Sequence, residues 1–429
     1  MSERAFDVAI IGGGPAGIAA AIAAREANGD VALIDEGLAP GGQIWRDKLG
    51  AASSGQAGRW KARLSASGAM LFTSTSVVDV RRHDDGFSIV TERLGEPLTF
   101  EARAIILATG ARERFLPFPG WTLPNVVGVG GAQALLKSGM KVQGKRVVIA
   151  GSGPLLLPVA ASLAAAGADL ALVAEQASLS SLLGYSMSLW RTPAMIAQAV
   201  RLRASFARTR YVSGMWVTRA EGEGCVRSVT VTNGRQTREI QCDLLGVAFG
   251  LVGNTELARL LGCQTRGGTV IVDNEQATSI SGVFCAGEPT GIGGVDLSLV
   301  EGTIAGAVAM GRGIPPTLRR RRERMRSYAA RLDAAFALRP EISSLAMPET
   351  IVCRCEDVRM ADLDRTWSSR QAKLYTRAGM GACQGRICGA ALECVMGWRP
   401  DSVRPPIQPA RLSTMLDAGR ASQSPLGVT

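Results

Sequence analysis

The sequence predicts an α/β chain in which one nucleotide-binding fold is inserted into another and a small, mainly helical domain follows. Three observations support this. A strand, a glycine-rich turn, a helix and a second strand occur in that order near the N-terminus and again from Arg146 to Glu175. Each unit is followed later by an apolar strand, closed by Gly110 or Gly250. Four of the nine cysteines lie within residues 353–388. Repeated units of this kind build a parallel sheet covered by helices.

The first glycine loop has the complete pattern of a Rossmann-like dinucleotide site. Its first glycine makes the tight turn, its second lets the backbone approach a pyrophosphate, and its third lets the helix pack closely on the strand. The start of a helix favours phosphate charge, and the carboxylate after the next strand accepts hydrogen bonds from ribose hydroxyls. The candidate binding residues of this loop are Gly12, Gly14, Pro15, Gly17, Asp35 and Glu36.

The second glycine loop departs from this pattern. Gly151 and Gly153 are present, but Leu156 stands where the third glycine is expected, and it should hold the helix further from the strand. Glu175 ends the following strand, as a ribose ligand should, and would select against NADP. Three alternatives therefore stay open for this fold: an NAD site, a site for a resting nucleotide such as ATP, or a scaffold.

Alternating segments around residues 77–102 predict a small antiparallel meander before the strand that ends at Gly110. Because the strand plan resumes at about residue 246, we predict that the second fold is an insertion. The predicted parts are a first nucleotide-binding domain at 1–119 and 246–311, a second at 120–245, a helical arginine-rich linker at 312–345, a cysteine domain at 346–410 and a flexible tail at 411–429.

The net charge of +11 reflects one segment more than the whole chain, because eight arginines lie between Arg312 and Arg331 against the single acid Glu323. No aromatic residues alternate with them and no nucleic-acid motif is present, so we expect a solvated helix face or a subunit-docking surface and no nucleic-acid partner. We expect no membrane span, because no apolar run reaches about 18 residues. The clustered cysteines and the absence of a secretory leader pattern predict a cytoplasmic protein.

The cysteines form two close pairs, Cys353-x-Cys355 and Cys383-x4-Cys388. Four thiolates in two pairs can ligate either zinc or an iron-sulfur cluster. The nearby arginines Arg354, Arg377 and Arg386 would place positive charge near an anionic cluster, and such surroundings raise a reduction potential. The other cysteines are expected to be core residues.

Four spaced segments resemble the FAD signature of the pyridine nucleotide-disulfide oxidoreductase superfamily, in its glutathione/thioredoxin reductase-type fold. They are Gly12–Gly17, Pro40–Gln43, Ala108–Gly110 and Phe284–Glu288. The resemblance implies that FAD binds the first fold, over residues 5–311. It implies that Gly42 and Gln43 lie beside the phosphates, that the Val78 backbone meets the adenine, and that Glu288 bonds the ribityl chain. The further cofactor-binding residues that it implies are Thr109, Gly110 and Gly287.

Residues 350–396 resemble the ferredoxin-like domain first known from bacterioferritin-associated ferredoxin. This resemblance implies a [2Fe-2S] cluster held by Cys353, Cys355, Cys383 and Cys388. A Cys-x-x-Cys pair is absent between residues 120 and 150 and near Gly42, which argues against thiol-disulfide exchange.

The combination resembles the A (alpha) subunits of heteromeric amine-oxidising flavoenzymes, such as opine oxidases, hydroxyproline and proline dehydrogenases and hydrogen cyanide synthase. The resemblance implies an electron-transfer subunit with a second, FAD-containing partner that oxidises a secondary amine or amino acid. It also implies a possible FMN at a subunit interface and a possible small third subunit. The open alternatives are a self-contained NADH-dependent reductase and a protein that docks on an iron store.

Overall fold

The computed structural model describes residues 4–47, 52–188, 193–399 and 403–421, and these form two compact units. The first unit comprises Met1–Arg112, Val252–Ala329 and Ser402–Thr429, and the second comprises Glu113–Leu251 and Ala330–Asp401. The prediction of an α/β chain with one nucleotide-binding fold inserted into another is confirmed. The limits of the individual domains stay a prediction, because the two units do not separate the cysteine domain from the second nucleotide fold.

The secondary structure follows the order expected of two βαβ units with a separate C-terminal module. The strands are β1 Arg4–Ile11, β2 Val31–Ile34, β3 Met70–Phe72, β4 Thr75–His83, β5 Gly86–Arg93, β6 Glu96–Leu107, β7 Ala111–Glu113, β8 Val126–Gly128, β9 Arg146–Gly151, β10 Asp169–Glu175, β11 Tyr211–Ser213, β12 Trp216–Glu221, β13 Ser228–Thr232, β14 Thr237–Gln241, β15 Leu244–Ala248, β16 Leu251–Gly253, β17 Thr265–Arg266, β18 Thr269–Val270, β19 Val283–Cys285, β20 Ile351–Cys353 and β21 Val358–Arg359. The α-helices are α1 Pro15–Glu26, α2 Gly55–Ser67, α3 Val129–Lys137, α4 Leu156–Ala165, α5 Leu179–Ser188, α6 Pro193–Ser205, α7 Glu256–Leu260, α8 Gly294–Ala309, α9 Pro316–Ala335, α10 Ser369–Thr376, α11 Cys388–Met396 and α12 Leu412–Ala421. Short 3₁₀ turns lie at Glu288–Thr290, Pro340–Ser344 and Met360–Asp362.

The first unit is built on a seven-stranded mixed sheet in the order β3-β2-β1-β6-β5-β4, with β19 beside β6. The predicted meander is the antiparallel set β4, β5 and β6, and the remaining pairs are parallel. In β1, Val8 and Ile10 pack against α1, whereas Ala9 and Ile11 face the opposite core. Because both faces are buried, β1 is a continuous apolar run. The parallel strands end together and place the first glycine loop at that edge.

The second unit contains a five-stranded parallel sheet in the order β11-β10-β9-β15-β8 and a three-stranded antiparallel sheet of β12, β13 and β14. The second glycine loop follows β9. Residues 336–345, after α9, belong to this unit, and Ile342 is buried in its core with Trp216 and Phe249. The predicted linker is therefore helical over α9 and then packs as part of the second nucleotide fold.

The cysteine module has its own small core around Val352, Leu392 and Trp398. It consists of the hairpin β20–β21, a 3₁₀ turn and the helices α10 and α11. Helix α10 begins with a capping box in which Ser368 accepts from the Gln371 backbone and Gln371 accepts from the Ser368 backbone. These reciprocal bonds satisfy two donors at the helix start and define where the helix begins.

The prediction of a flexible tail from residue 411 onward is corrected for residues 411–421. The backbone N–H of Arg411 and the hydroxyl of Thr414 both donate to Glu92, each at 2.8 Å, and Leu412–Ala421 forms α12. No local pattern predicts this contact, because Glu92 lies more than 300 residues earlier. Residues 422–429 of the predicted tail lie outside the described residues. None of the described helices combines the length and apolarity needed to cross a membrane.

Candidate cofactor sites

The first glycine loop is shaped by close backbone contacts that only glycine permits. Gly12 has a φ of +108°, and a Cβ there would lie 2.2 Å from the carbonyl oxygen of Ala108. A Cβ on Gly17 would lie 1.8 Å from the carbonyl oxygen of Gly12. A Cβ on Gly14 would meet no chain atom within 4 Å, so the second glycine borders open space. Pro15 starts α1, which has no side-chain cap, and its first N–H groups can therefore meet a phosphate.

The predicted ribose acid lies at this loop. The carboxylate of Asp35 accepts hydrogen bonds from the backbone N–H groups of Gly13 and Gly37. Glu36 is exposed and accepts a hydrogen bond from the Gln408 amide at 3.3 Å. Two carboxylates therefore lie at the end of β2, where a dinucleotide of this fold places its adenosine ribose.

The loop after β2 folds back onto the glycine loop. The Gly41 N–H donates to the Gly13 carbonyl at 2.7 Å, and a Cβ on Gly42 would lie 3.1 Å from the Gly14 Cα. Gln43 is exposed, and its side-chain oxygen accepts from Arg46. The structure thus brings Gly14 and Gly42, separated by 28 residues, to the same edge of the site.

The strand that ends at Gly110 is tied to a residue that the sequence interpretation missed. The Thr109 hydroxyl donates to the Asn254 carbonyl at 2.6 Å, and the Asn254 amide donates to the Thr109 carbonyl at 2.8 Å. The Asn254 N–H also donates to the Gly110 carbonyl at 2.9 Å. Arg112 donates to the Asn254 side-chain oxygen at 2.6 Å and forms an ion pair with Glu256. The only local signal for Asn254 is its place after an apolar strand and a glycine.

The turn with Gly287 and Glu288 is held by a buried ionic network that the sequence interpretation also missed. Glu301 is fully buried and accepts from the Gly287 N–H and the Thr290 hydroxyl, both at 3.0 Å. Arg326 donates to Glu301 at 2.8 Å, and the nearly buried Arg322 lies 3.8 Å from the same carboxylate. Glu288 itself accepts from the Gly294 N–H. At least two arginines of the arginine-rich segment therefore support the predicted flavin turn instead of facing solvent.

Val78 is buried in β4, and its backbone was predicted to meet the adenine. Its carbonyl oxygen accepts a hydrogen bond from the Ile407 N–H at 2.9 Å. A segment near the C-terminus therefore lies against this strand, next to the position predicted for the adenine.

The second glycine loop surrounds a buried acid. Glu175 has no exposed surface and accepts hydrogen bonds from the backbone N–H groups of Gly153 and Ala177. Burial raises the pKa of Glu175 to about 7, although these hydrogen bonds act to lower it. Gly151 turns tightly under the carbonyl of Ala248, 2.1 Å from the position of a Cβ. The predicted residues Gly151, Gly153 and Glu175 do come together.

The chain itself occupies part of the crevice at the second loop. Ser152, between the two glycines, donates to the Phe336 carbonyl at 2.7 Å. Gln176 is fully buried, donates to the Ala337 carbonyl at 2.9 Å and accepts from the Arg339 N–H at 3.0 Å. A cavity of about 510 Å³ remains beside this segment, between the start of α5 and residues 334–341.

The four predicted cluster ligands line one cavity of about 240 Å³ in the second unit. Cys353 and Cys388 are buried, Cys383 is half-buried and Cys355 is exposed. The cavity wall opposite the cysteines includes Trp121, whose indole N–H donates to the Ile351 carbonyl at 2.6 Å. The other lining residues are Phe115, Val126, Val127, Gly128, Arg354 and Ile387.

The cysteine side chains contact one another in two pairs, Cys353 with Cys388 and Cys355 with Cys383. A hydrogen bond from the Cys388 thiol lowers the pKa of Cys353 to about 6, and a bond from the Gly379 N–H acts in the same direction. The corresponding bond to Cys353, together with burial, raises the pKa of Cys388. The pair thus holds one thiolate and one thiol, and a metal would displace the remaining proton.

The charges around the cysteines match part of the prediction. Arg354 lines the cavity, whereas the Arg377 guanidinium donates to Glu356 at 2.7 Å. Among the described side chains, no three of histidine, cysteine, aspartate or glutamate converge closely enough to hold a single metal ion. The arrangement is two pairs of thiols and not one tetrahedral set.

Comparisons with known proteins agree with this geometry. A model of the pyridine nucleotide-disulphide oxidoreductase family matches residues 6–311. The A-chain component of opine oxidase from Rhizobium meliloti (strain 1021) is 33% identical, with 96% of this chain and 98% of that protein covered. Hydrogen cyanide synthase subunit HcnB of Pseudomonas aeruginosa is 31% identical, with 88% of this chain and 90% of that protein covered. The crystal structure of L-proline dehydrogenase from P. horikoshii has 21% identity and a TM-score of 0.68, over 96% of this chain and 80% of that chain.

Proposed function

Because this chain belongs to the pyridine nucleotide-disulphide oxidoreductase family, we propose that it is the electron-transfer subunit of a heteromeric dehydrogenase or oxidase. That it is an FAD-dependent oxidoreductase follows from the family and from the opine oxidase and hydrogen cyanide synthase components among its relatives. In this proposal the complex acts on a secondary amine or amino acid. The chain carries FAD in the first nucleotide fold and a [2Fe-2S] cluster on Cys353, Cys355, Cys383 and Cys388.

The first fold fits FAD through three features of its own residues. Gly14 borders open space at the start of α1, Asp35 and Glu36 lie at the ribose end, and Gly287–Glu288 forms a buttressed turn. The bound flavin would supply two-electron chemistry. The chain's residues bind the pyrophosphate with backbone N–H groups, orient the ribose with carboxylates and hold the ribityl side through the Glu301 network.

The observation that carries the cluster assignment is that all four cysteines line one cavity as two pairs of thiols. A [2Fe-2S] cluster takes two protein ligands at each iron, so two separate pairs suit it. A single zinc ion needs four ligands around one point. The apolar wall with Trp121 limits water access, and Arg354 places a cation beside a negatively charged group.

The substrate class and the partner rest on the relatives. Two of them are named as subunits, of an opine oxidase and of hydrogen cyanide synthase. We therefore propose that a second, FAD-containing subunit oxidises the amine and passes electrons to this chain. An FMN at the subunit interface and a small third subunit belong to the same proposal. The nine thiols, with no disulfide among the described cysteines, favour the reducing cytoplasm.

The alternative of a self-contained NADH-dependent reductase is disfavoured by the second fold. Residues 336–339 bond to Ser152 and Gln176, at the positions where a dinucleotide would lie on the loop and the following strand. We propose that this fold acts as a scaffold and binds neither NAD nor ATP across its glycine loop.

The test compares the purified chain with two cysteine variants, Cys383→Ser and Cys394→Ser. Iron and acid-labile sulfide should each be about two per chain in the wild type. Cys383→Ser should lose the long-wavelength iron-sulfur absorption and keep FAD. Cys394, which is half-buried against the core of the second unit, serves as the control and should keep both. Zinc in place of iron, or loss of FAD together with the cluster in Cys383→Ser, would refute the assignment.

A further inference from the structure

The segment that follows the cysteine module returns to the first unit and crosses it beside β4. We call residues 403–411 the C-terminal strap. The Ile407 N–H donates to the Val78 carbonyl at 2.9 Å, and the Gln408 amide donates to Glu36 at 3.3 Å. The strap therefore touches two positions that the sequence interpretation assigned to cofactor binding.

The strap is anchored on both sides of these contacts. Ile407 is 9% exposed and packs in the same core cluster as Val77 and Phe100. Beyond it, the Arg411 N–H and the Thr414 hydroxyl share Glu92, and Thr414 is fully buried. The pKa of Glu92 is lowered, chiefly by the hydrogen bond from the Arg411 backbone. Burial and several hydrogen bonds hold a segment in one place, so the strap is a fixed part of the first unit.

The strap lies at the adenosine end of the site if FAD binds the first fold, and the inference rests on that proposed function. In this fold the carboxylate after the second strand bonds the adenosine ribose, and here that position is Asp35. Glu36, the next residue, accepts from Gln408, so the strap begins where the ribose edge ends. Val78 is the residue predicted to meet the adenine, and Ile407 already bonds its carbonyl.

We propose that the C-terminal strap forms the outer wall of the adenosine subsite and that Gln408 is an additional cofactor-contacting residue. The ligand is the adenosine half of the dinucleotide. The Gln408 amide has a second N–H available in its chemistry for a ribose hydroxyl, while its first holds Glu36 in place. The Val78 carbonyl helps to fix the wall through Ile407. Release of FAD then requires the strap to move away from β4.

The experiment measures the rate at which FAD leaves the full-length holoprotein after dilution, from the rise in flavin fluorescence. Gln408→Ala removes the wall contact, and Glu92→Gln weakens the distant anchor without touching the cofactor site. Loss of one hydrogen bond of this kind should speed release about fivefold in each variant. The matched control is Glu96→Gln, an exposed glutamate on the same hairpin, which should release FAD at the wild-type rate.

Hydrogen exchange of the Ile407 amide, read in the same samples, reports whether the strap has loosened. Faster exchange with faster FAD release in Glu92→Gln supports the wall. FAD release at the wild-type rate in both Gln408→Ala and Glu92→Gln, with faster exchange in Glu92→Gln, overturns it. Failure of the proposed function would differ, because the wild-type chain would then hold no FAD to release.

Discussion

The two nucleotide folds carry glycine loops at equivalent places, after β1 and after β9, but the chain surrounds them differently. Gly14 in the first loop borders open space, whereas Ser152 in the second is bonded to the Phe336 carbonyl. Gln43 near the first loop is exposed, whereas Gln176 near the second is buried with bonds to residues 337–339. A glycine pattern determines the shape of a loop. Distant segments determine whether the space in front of it is open.

The segment around α9 contributes to both folds. Arg322 and Arg326, within the helix, stabilise the turn at Gly287 through Glu301. The residues after the helix, 336–339, fill part of the second crevice. The same stretch of sequence therefore supports one nucleotide site and closes another, and the comparison can be tested at each loop.

The largest effect is expected from Gly14→Ala. The backbone of Gly14, with φ −72° and ψ −175°, is allowed for alanine, and the added Cβ meets no chain atom within 4 Å. The protein should fold normally, but the methyl group would enter the space of the pyrophosphate. We expect FAD affinity to fall about a thousandfold, or ~4 kcal/mol. Titration of the apoprotein with FAD measures this.

The control for this change is Gly184→Ala in α5, where the Cβ also meets nothing within 4 Å. It should bind FAD like the wild type. Normal FAD binding by Gly14→Ala would mean that the open space at the first loop is not a pyrophosphate site, and the contrast between the loops would lose its functional meaning.

A somewhat smaller effect concerns pH and the buried Glu175. Its pKa in the folded protein is about 7, above the ordinary value of 4.5 for an exposed glutamate. Between these two values the unfolded chain holds fewer protons, so the stabilising contribution present below pH 4.5 is lost as the pH rises through 7. The loss amounts to about 3 kcal/mol. Urea unfolding from pH 4.5 to 8 should show this decline, and Glu175→Gln should flatten it by that amount. Parallel curves for the two proteins would contradict the burial of a titrating carboxylate there.

A pair of glutamine replacements compares the two loops directly. Gln176→Ala removes several buried hydrogen bonds and leaves their partners unsatisfied, so it should lower the free energy of unfolding by about 2 kcal/mol. Gln43→Ala alters an exposed side chain and should change it by less than about 0.5 kcal/mol. Chemical denaturation of both apoproteins tests the difference. Equal values would show that residues 336–339 do not bind the second crevice firmly.

Sequence patterns were a good guide wherever the chemistry is local. The strand-glycine-helix pattern at Gly12 and Gly151, the meander and the paired cysteines all reflect neighbouring residues, and the structure has these elements. Residues that act across long separations were missed, because nothing beside them signals their partners. Asn254 bonds Thr109 across 145 residues, and Gln408 reaches Glu36 across 372. Glu301 lies in a mostly apolar helix, and none of its neighbours in sequence indicates that it holds the Gly287 turn.

The smallest expected effect is the response of the flavin to NADH, and it decides what the second fold does. If residues 336–339 close the crevice, NADH should leave the flavin absorbance of the anaerobic wild-type protein unchanged, whereas dithionite should bleach it. The double variant Ser152→Ala and Gln176→Ala loosens the segment, yet Leu156 still stands in place of the third glycine, so NADH should remain without effect. Bleaching of the wild type by NADH would make the chain a reductase in its own right. Bleaching of the double variant alone would show instead that the fold keeps a working dinucleotide site behind its own linker.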